Sequence, residues 1–209
     1  IMVALVLSRK RRWGHTINTT CLVVSTVYLV WSVGAKNYVN TVAHASLDRQ
    51  QIEYDRVLSI PAPFNTLLWR VLVIDKDGYH ESYYSLLDKG REVRFDYFSS
   101  NHTLLKGIES HWHVKRLKWF THGYYSVQQQ DQNIVITDLR MGSEPSYVFR
   151  FKVGQMGTLY ARPTPSERVY DEQNWDGLKW VWHRIWNSDP EVAGDPNVKT
   201  LGISEDNPV

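Results

Sequence analysis

The sequence predicts an α+β fold in which an N-terminal transmembrane helix and stalk precede a mainly antiparallel sheet of about six strands, packed by one amphipathic helix and a short Trp-rich helix. Three observations point there. Residues 17–34 run without a charged side chain, close to the length that a membrane-crossing helix requires. Beyond Pro61 and Pro63 the apolar residues come in short alternating runs separated by turn formers, the signature of strands. Two later segments, 103–120 and 175–186, return to helical spacing.

Length and composition fit this plan. A chain of 209 residues, 43% of them hydrophobic, holds one ordinary domain and a membrane element but not two large domains. The net charge of +2 argues against wholesale nucleic-acid binding, so the expected partner is the lipid bilayer and not a nucleic acid. Nine Trp and twelve Tyr suit aromatic cross-strand pairs or work at an interface. Cys21 is the single cysteine, which excludes an internal disulfide framework and a multi-cysteine zinc site.

Three regions follow. Residues 1–58 comprise the end of a truncated span, a basic loop, the transmembrane helix and its stalk; residues 59–187 form an extramembrane α+β domain; residues 188–209 are a tail expected to be disordered, because Pro190, Gly194, Pro196, Gly202 and Pro208 leave little to fold. Ile1–Leu7 is apolar throughout but too short to cross a bilayer, and reads as the last turns of a span from a longer polypeptide. Arg9-Lys10-Arg11-Arg12 marks its side of the next span as cytoplasmic, which places everything after Lys36 outside the cytoplasm. A buried core helix is the soluble alternative for 17–34, since Asn18, Thr19, Thr20, Ser25 and Thr26 dilute its hydrophobicity. A cleavable signal peptide is disfavoured, because no small-residue cleavage pattern follows cleanly. From Asn37 to Leu58 the apolar residues Val39, Val42, Leu47, Ile52 and Val57 recur among polar ones, which predicts a helical stalk that the prolines terminate.

Thr66–Ile74 reads as a strand buried on most of both sides, with Trp69, Val71 and Val73 on one face and Arg70 sharing the other with Leu68, Leu72 and Ile74. Asp75-Lys76-Asp77-Gly78 supplies a turn, with Gly78 tolerant of positive φ, and Tyr79–Leu87 is the returning strand. Glu92–Phe98 alternates as a half-exposed third strand. Ser99-Ser100-Asn101 starts a helix running to Phe120, with Leu104, Leu105, Ile108, Trp112 and Trp119 on one face. Tyr124–Gln129, Asn133–Leu139 and Ser146–Val153 form an antiparallel meander, and 154–174 reads as loop because of Pro163 and Pro165. Trp175–Trp186 is a short helix with Trp175, Leu178, Trp182, Ile185 and Trp186 on one stripe, which either docks on the sheet or lies among lipid headgroups.

Chemistry is thinly marked. His102, His111, His113 and His122 crowd one segment, yet no two stand at the i, i+4 spacing that lets imidazoles share a zinc; Glu109 and His113 do. His44, His80 and His183 are remote in sequence and join only if the fold brings them there. Asp75, Asp77 and Gly78 resemble the start of a calcium loop, but His80 and Tyr84 replace its later oxygen donors. The sequence contains no glycine-rich phosphate cradle and no nucleophile elbow. It assigns no catalytic, cofactor-binding or metal-binding residue.

The basic loop, the apolar span and the segment Ser59–Asp88, with Pro61-Ala62-Pro63-Phe64-Asn65, a Leu-Trp strand and a Tyr-rich return, resemble the C-terminal region of the YdjM-like family of inner-membrane proteins, described as membrane-bound metal-dependent hydrolases. The likeness covers Ile1 to Leu87. It implies a bacterial inner membrane, a divalent metal and hydrolytic chemistry. The family's metal ligands lie near a motif of the type His-Arg-Gly-x-Thr-His-Ser; Arg12-Trp13-Gly14-His15-Thr16 lacks the leading histidine and does not replace it. On this resemblance the chain is the anchor and accessory domain of a hydrolase whose metal ligands lie upstream of Ile1. The alternative is a non-enzymatic envelope protein whose sheet binds a partner, a lipid or a glycan.

Overall fold

A computed structural model describes residues 14–144, 146–158, 160–169 and 176–187, with only the backbone for 176–178. The first apolar run, the basic cluster, Trp175 and the tail lie outside the described residues. Helix α1, Gly14–Gln50, is continuous over 37 residues, about 55 Å at the α-helical rise. Leu22, Val23, Val24, Val27, Leu29, Val30 and Val33 are each more than half exposed, and none of the helix's most apolar 18-residue stretch is buried in the fold. By length and composition this helix can cross a membrane. Its second half does the opposite: Ala35, Val39, Val42, Ala43, Ser46 and Leu47 form a buried stripe. The stalk expected from the sequence is therefore a core element of the domain.

The prolines do not end this helix. Gln51 adopts a left-handed φ of 54°, its N–H donates to Asp48 O at 3.2 Å, and the Ile52 N–H donates to Leu47 O at 3.1 Å. Those two bonds are the Schellman closure, here with glutamine in the place glycine usually takes. The chain then enters strand β1, Arg56–Pro61, whose first three residues the sequence predicts as stalk.

Strands β2 (Leu68–Ile74) and β3 (Gly78–Ser85) form the expected hairpin, and β4, Asp96–Ser99, pairs with β3. The first sheet is thus an antiparallel meander in the order β1-β2-β3-β4. At the hairpin turn the Asp75 carboxylate accepts the Asp77 and Gly78 N–H groups at 2.8 and 2.6 Å. Gly78 does not need a positive φ; a Cβ there would strike Phe98 O and the Tyr97 ring across the strand pair. One face of the sheet packs Trp69, Val71, Val73 and Tyr84 against the second half of α1.

A short 3₁₀ turn, His102–Leu105, and helix α2, Trp112–Thr121, replace the single long helix expected over 103–120. Leu105, Ile108 and Val114 are buried against the second sheet, whereas Trp112 and Trp119 are 61% and 71% exposed. The break at Gly107, with φ of 92°, resets the helical phase, so the face drawn through both Trp residues never forms.

The second sheet runs β5-β6-β7-β8, built from Tyr125–Gln130, Asn133–Ser143, Ser146–Met156 and Ala161–Val169. Strand β8 occupies the stretch read as loop. Its prolines fall on a strand that pairs with β7 alone and forms an edge, where strand prolines are tolerated. The α+β architecture therefore holds eight strands in two four-stranded sheets among the described residues. Helix α3, Asp176–Trp186, closes the first sheet through Val181 and Ile185, which pack with Ala62, Leu67, Leu68 and Tyr83.

Candidate functional site

The two sheets meet through a buried polar junction that the apolar pattern of β2 concealed. Arg70, 5% exposed, donates to both Glu81 oxygens at 2.7 and 2.8 Å. Its remaining donors reach Leu139 O at 2.7 Å and the Tyr147 hydroxyl at 2.9 Å, both on the second sheet. Tyr147 donates in turn to Glu81 at 2.8 Å, and Tyr79 donates to Glu144. Burial works against the Arg70 charge, yet the Glu81 carboxylate outweighs it and the guanidinium titrates above its ordinary range. Burial also raises Glu144, with Tyr79 opposing and Glu81 reinforcing, and it raises Tyr147. A bidentate pair with both Glu81 oxygens engaged is a structural clamp. The one signal in the sequence was an arginine inside an otherwise apolar strand.

The histidines are dispersed. His102 sits edge-on to Tyr125 at 5.1 Å, its pKa lowered by burial and by Lys118. His111 and His113 stack at the start of α2, and His122 closes that helix in the left-handed conformation. His44 meets Tyr54 at 3.0 Å, and His183 meets Asn187. Among the described residues, no group of three or more His, Cys, Asp or Glu side chains is placed to hold a metal ion. These residues therefore do not fit the divalent metal that the resemblance implies.

A cleft of about 480 Å³ opens where the end of α1, the connection to β1 and the β2–β3 turn converge. Glu53, Asp55, Asp75 and Asp77 line it together with Lys76 and His80. Asp75 is already engaged, by the two turn N–H groups and by His80 Nε2 at 3.0 Å. The cleft can accept hydrogen bonds from a cationic or hydroxyl-rich ligand. It holds no nucleophile–base pair.

At the opposite end of the first sheet the turn between β1 and β2 is built by Asn65, whose carbonyl oxygen accepts the Leu67 and Leu68 N–H groups at 3.0 and 2.8 Å. Phe64 consequently takes a positive φ of 60° and is 96% exposed. A second, largely apolar hollow of about 490 Å³ separates Pro63 and Phe64 from Val181 and Trp182 of α3. The stripe expected to dock α3 instead leaves Trp182 and Trp186 66% and 61% exposed, while Arg184 and Ile185 are buried. Arg184 is fixed by both Asp88 oxygens at 2.8 and 2.9 Å.

Comparison with known protein families, with characterised proteins and with solved structures finds no match to this chain.

Proposed function

We propose that this chain is a membrane-anchored accessory domain of the bacterial inner membrane, in which α1 crosses the bilayer with its first half and enters the core of the domain with its second. The observation that carries this reading is the contrast along one uninterrupted helix: an 18-residue apolar stretch wholly outside the fold, followed directly by a buried stripe. Leaving a Val or Leu side chain in water forgoes about 1.5–3 kcal/mol, and seven such residues are exposed there together. Lipid removes that penalty. The basic run Arg9–Arg12 supports a cytoplasmic N-terminal flank and a domain outside the cytoplasm.

Two accessory roles are consistent with this placement. The resemblance supports attachment to the catalytic, membrane-embedded part of a metal-dependent hydrolase, and its Pro61–Asn65 segment lies at the end of the domain nearest the span. The acidic cleft, at the end of α1 farthest from the span, favours a non-enzymatic envelope binding module. In either role the chain stays with membranes through an alkaline carbonate wash, and protease added to intact spheroplasts digests the domain. Recovery of the intact chain as a soluble folded monomer would overturn the anchor; protection until lysis would overturn the orientation. Stoichiometric metal retained through dialysis, with esterase or phosphoesterase activity lost on replacing His80 or His102, would move the chemistry into this chain and overturn both accessory roles.

A further inference from the structure

Resting on the membrane-anchor reading, we propose that the end of the domain nearest the span is itself a lipid-binding surface, with Phe64, Leu87, Trp182 and Trp186 entering the headgroup–acyl boundary of the leaflet that α1 leaves. The level of these residues follows from how the chain folds back. Tyr54 meets His44 at 3.0 Å and Ser59 meets Asn40 at 2.7 Å, so β1 runs along α1 toward the span. Asn40 stands about 9 Å beyond Gly34 at the helical rise. Strand β1 covers at most about 7 Å from Ser59 to Pro61, and Phe64 lies beyond its end. Phe64 therefore lies on the span side of Asn40, toward the level at which the apolar stretch of α1 ends.

Two further elements arrive at that level. Trp69 pairs with Tyr84 in the sheet register, and the Tyr84 ring lies 6.4 Å from that of Tyr38 on α1, which brings the loop containing Leu87 to the same end. Helix α3 is seated there by the Arg184–Asp88 pair and by the Ser85 hydroxyl, which donates to Ile185 O at 2.9 Å.

The chemistry of the surface matches one occupant. Phe64 holds a left-handed conformation that non-glycine residues rarely adopt, and the turn spends it on aiming an apolar ring outward. Trp182 lines the hollow beside it, Leu87 and Trp186 are exposed as well, and Lys36 and Lys89 are exposed at the same end. Aromatic rings at the boundary with cations among the phosphates is the composition of an interfacial anchor. The surface is also continuous with the span, so the bilayer covers it without a separate docking event, and the domain is held at a fixed tilt.

Cys21 is the single cysteine, so in a Cys21→Ser background one cysteine at a time can carry an environment-sensitive fluorophore in the full chain. The chain is placed in vesicles of phosphatidylethanolamine and phosphatidylglycerol. Labels at Phe64→Cys and, with Phe64 intact, at Leu87→Cys show blue-shifted emission, quenching by a lipid nitroxide near the top of the acyl chain, and loss of quenching by aqueous iodide. A label at Val27→Cys meets a nitroxide deep in the chain, and one at Lys76→Cys meets iodide only. Labels at both Phe64→Cys and Leu87→Cys that behave like Lys76→Cys, while Val27→Cys still meets the deep nitroxide, overturn the lipid surface and leave the anchor standing. A Val27→Cys label open to iodide overturns the anchor and the lipid surface together.

Discussion

Residues 22–33 and residues 35–47 belong to one helix and have opposite relations to the rest of the molecule. The first stretch is apolar on every side, with Leu22, Val23, Val24, Val27, Leu29, Val30 and Trp31 spread around the axis, so it offers no face that a sheet could bury while another met water. The second has a stripe at positions 35, 39, 42, 43, 46 and 47, with Lys36, Asn37, Asn40, Thr41 and His44 between. Periodicity, rather than the number of apolar residues, separates a lipid-facing helix from a core-facing one. The hydroxyls that dilute the first stretch do not contradict this. Ser25, Thr26 and Ser32 each donate to the carbonyl four residues back, at 2.8, 2.9 and 2.8 Å, which satisfies their donors within the helix as a bilayer requires.

The sharpest test places the same charge in both halves. Val39 is fully buried against the first sheet, so Val39→Asp puts an unpaired carboxylate in the core and should destabilise the domain by about 3–5 kcal/mol, the cost of an uncompensated buried charge. Val27→Asp should leave the thermal melt of the domain in detergent unchanged and instead oppose insertion by about 2.5–3.5 kcal/mol at the helix centre, read as loss from the membrane fraction. Equal melts for the two variants would erase the distinction between the halves.

The comparison extends to the strand that the second half of α1 covers. Trp69 faces α1 and is 2% exposed; Trp69→Ala should cost about 3–5 kcal/mol, and a melt shifted by no more than a degree would mean that α1 is not packed there. Arg70 faces the second sheet, so Arg70→Ala should cost a comparable amount, about 3–5 kcal/mol, by stranding Glu81. Arg70→Met combined with Glu81→Leu should recover much of the loss in the same melt. If the double variant is as unstable as the sum of the single ones, the pair is not the closed unit described here.

Much of this was legible. The hairpin was fixed by alternation and by Asp75-Lys76-Asp77-Gly78, and the meander β5–β7 by its turns. What escaped were features that depend on partners distant in the chain. Strand β8 carries Pro163 and Pro165, which mark loop in isolation and become acceptable only at the edge of a sheet. The end of α1 is set by Gln51 in a conformation that favours glycine, so no local signal marked it. Arg184 lies off the Trp-bearing stripe, yet Asp88, far away in sequence, makes it a buried pair. The histidines were legible as a crowd in sequence, but the break between the 3₁₀ turn and α2 scatters them. The proposed lipid surface is half visible in the sequence as a Trp stripe; Phe64 and Leu87 join it only through the fold.

The finest test uses two serines that make the same bond in the two halves. Ser25 donates to Cys21 O at 2.8 Å, and Ser46 donates to Val42 O at 2.8 Å. Removing either hydroxyl leaves the helical carbonyl its ordinary partner, so that bond alone predicts little effect from Ser25→Ala or Ser46→Ala. Ser46 has a second role, because its oxygen accepts the Val93 N–H at 3.0 Å in the buried contact between α1 and the loop after β3. Ser46→Ala strands that N–H away from water, which costs about 1–3 kcal/mol. Ser25→Ala strands nothing. The expected result is a lowered melting temperature for Ser46→Ala alone, together with faster amide exchange at Val93. Unchanged exchange at Val93 would show that the second half of α1 does not hold this loop.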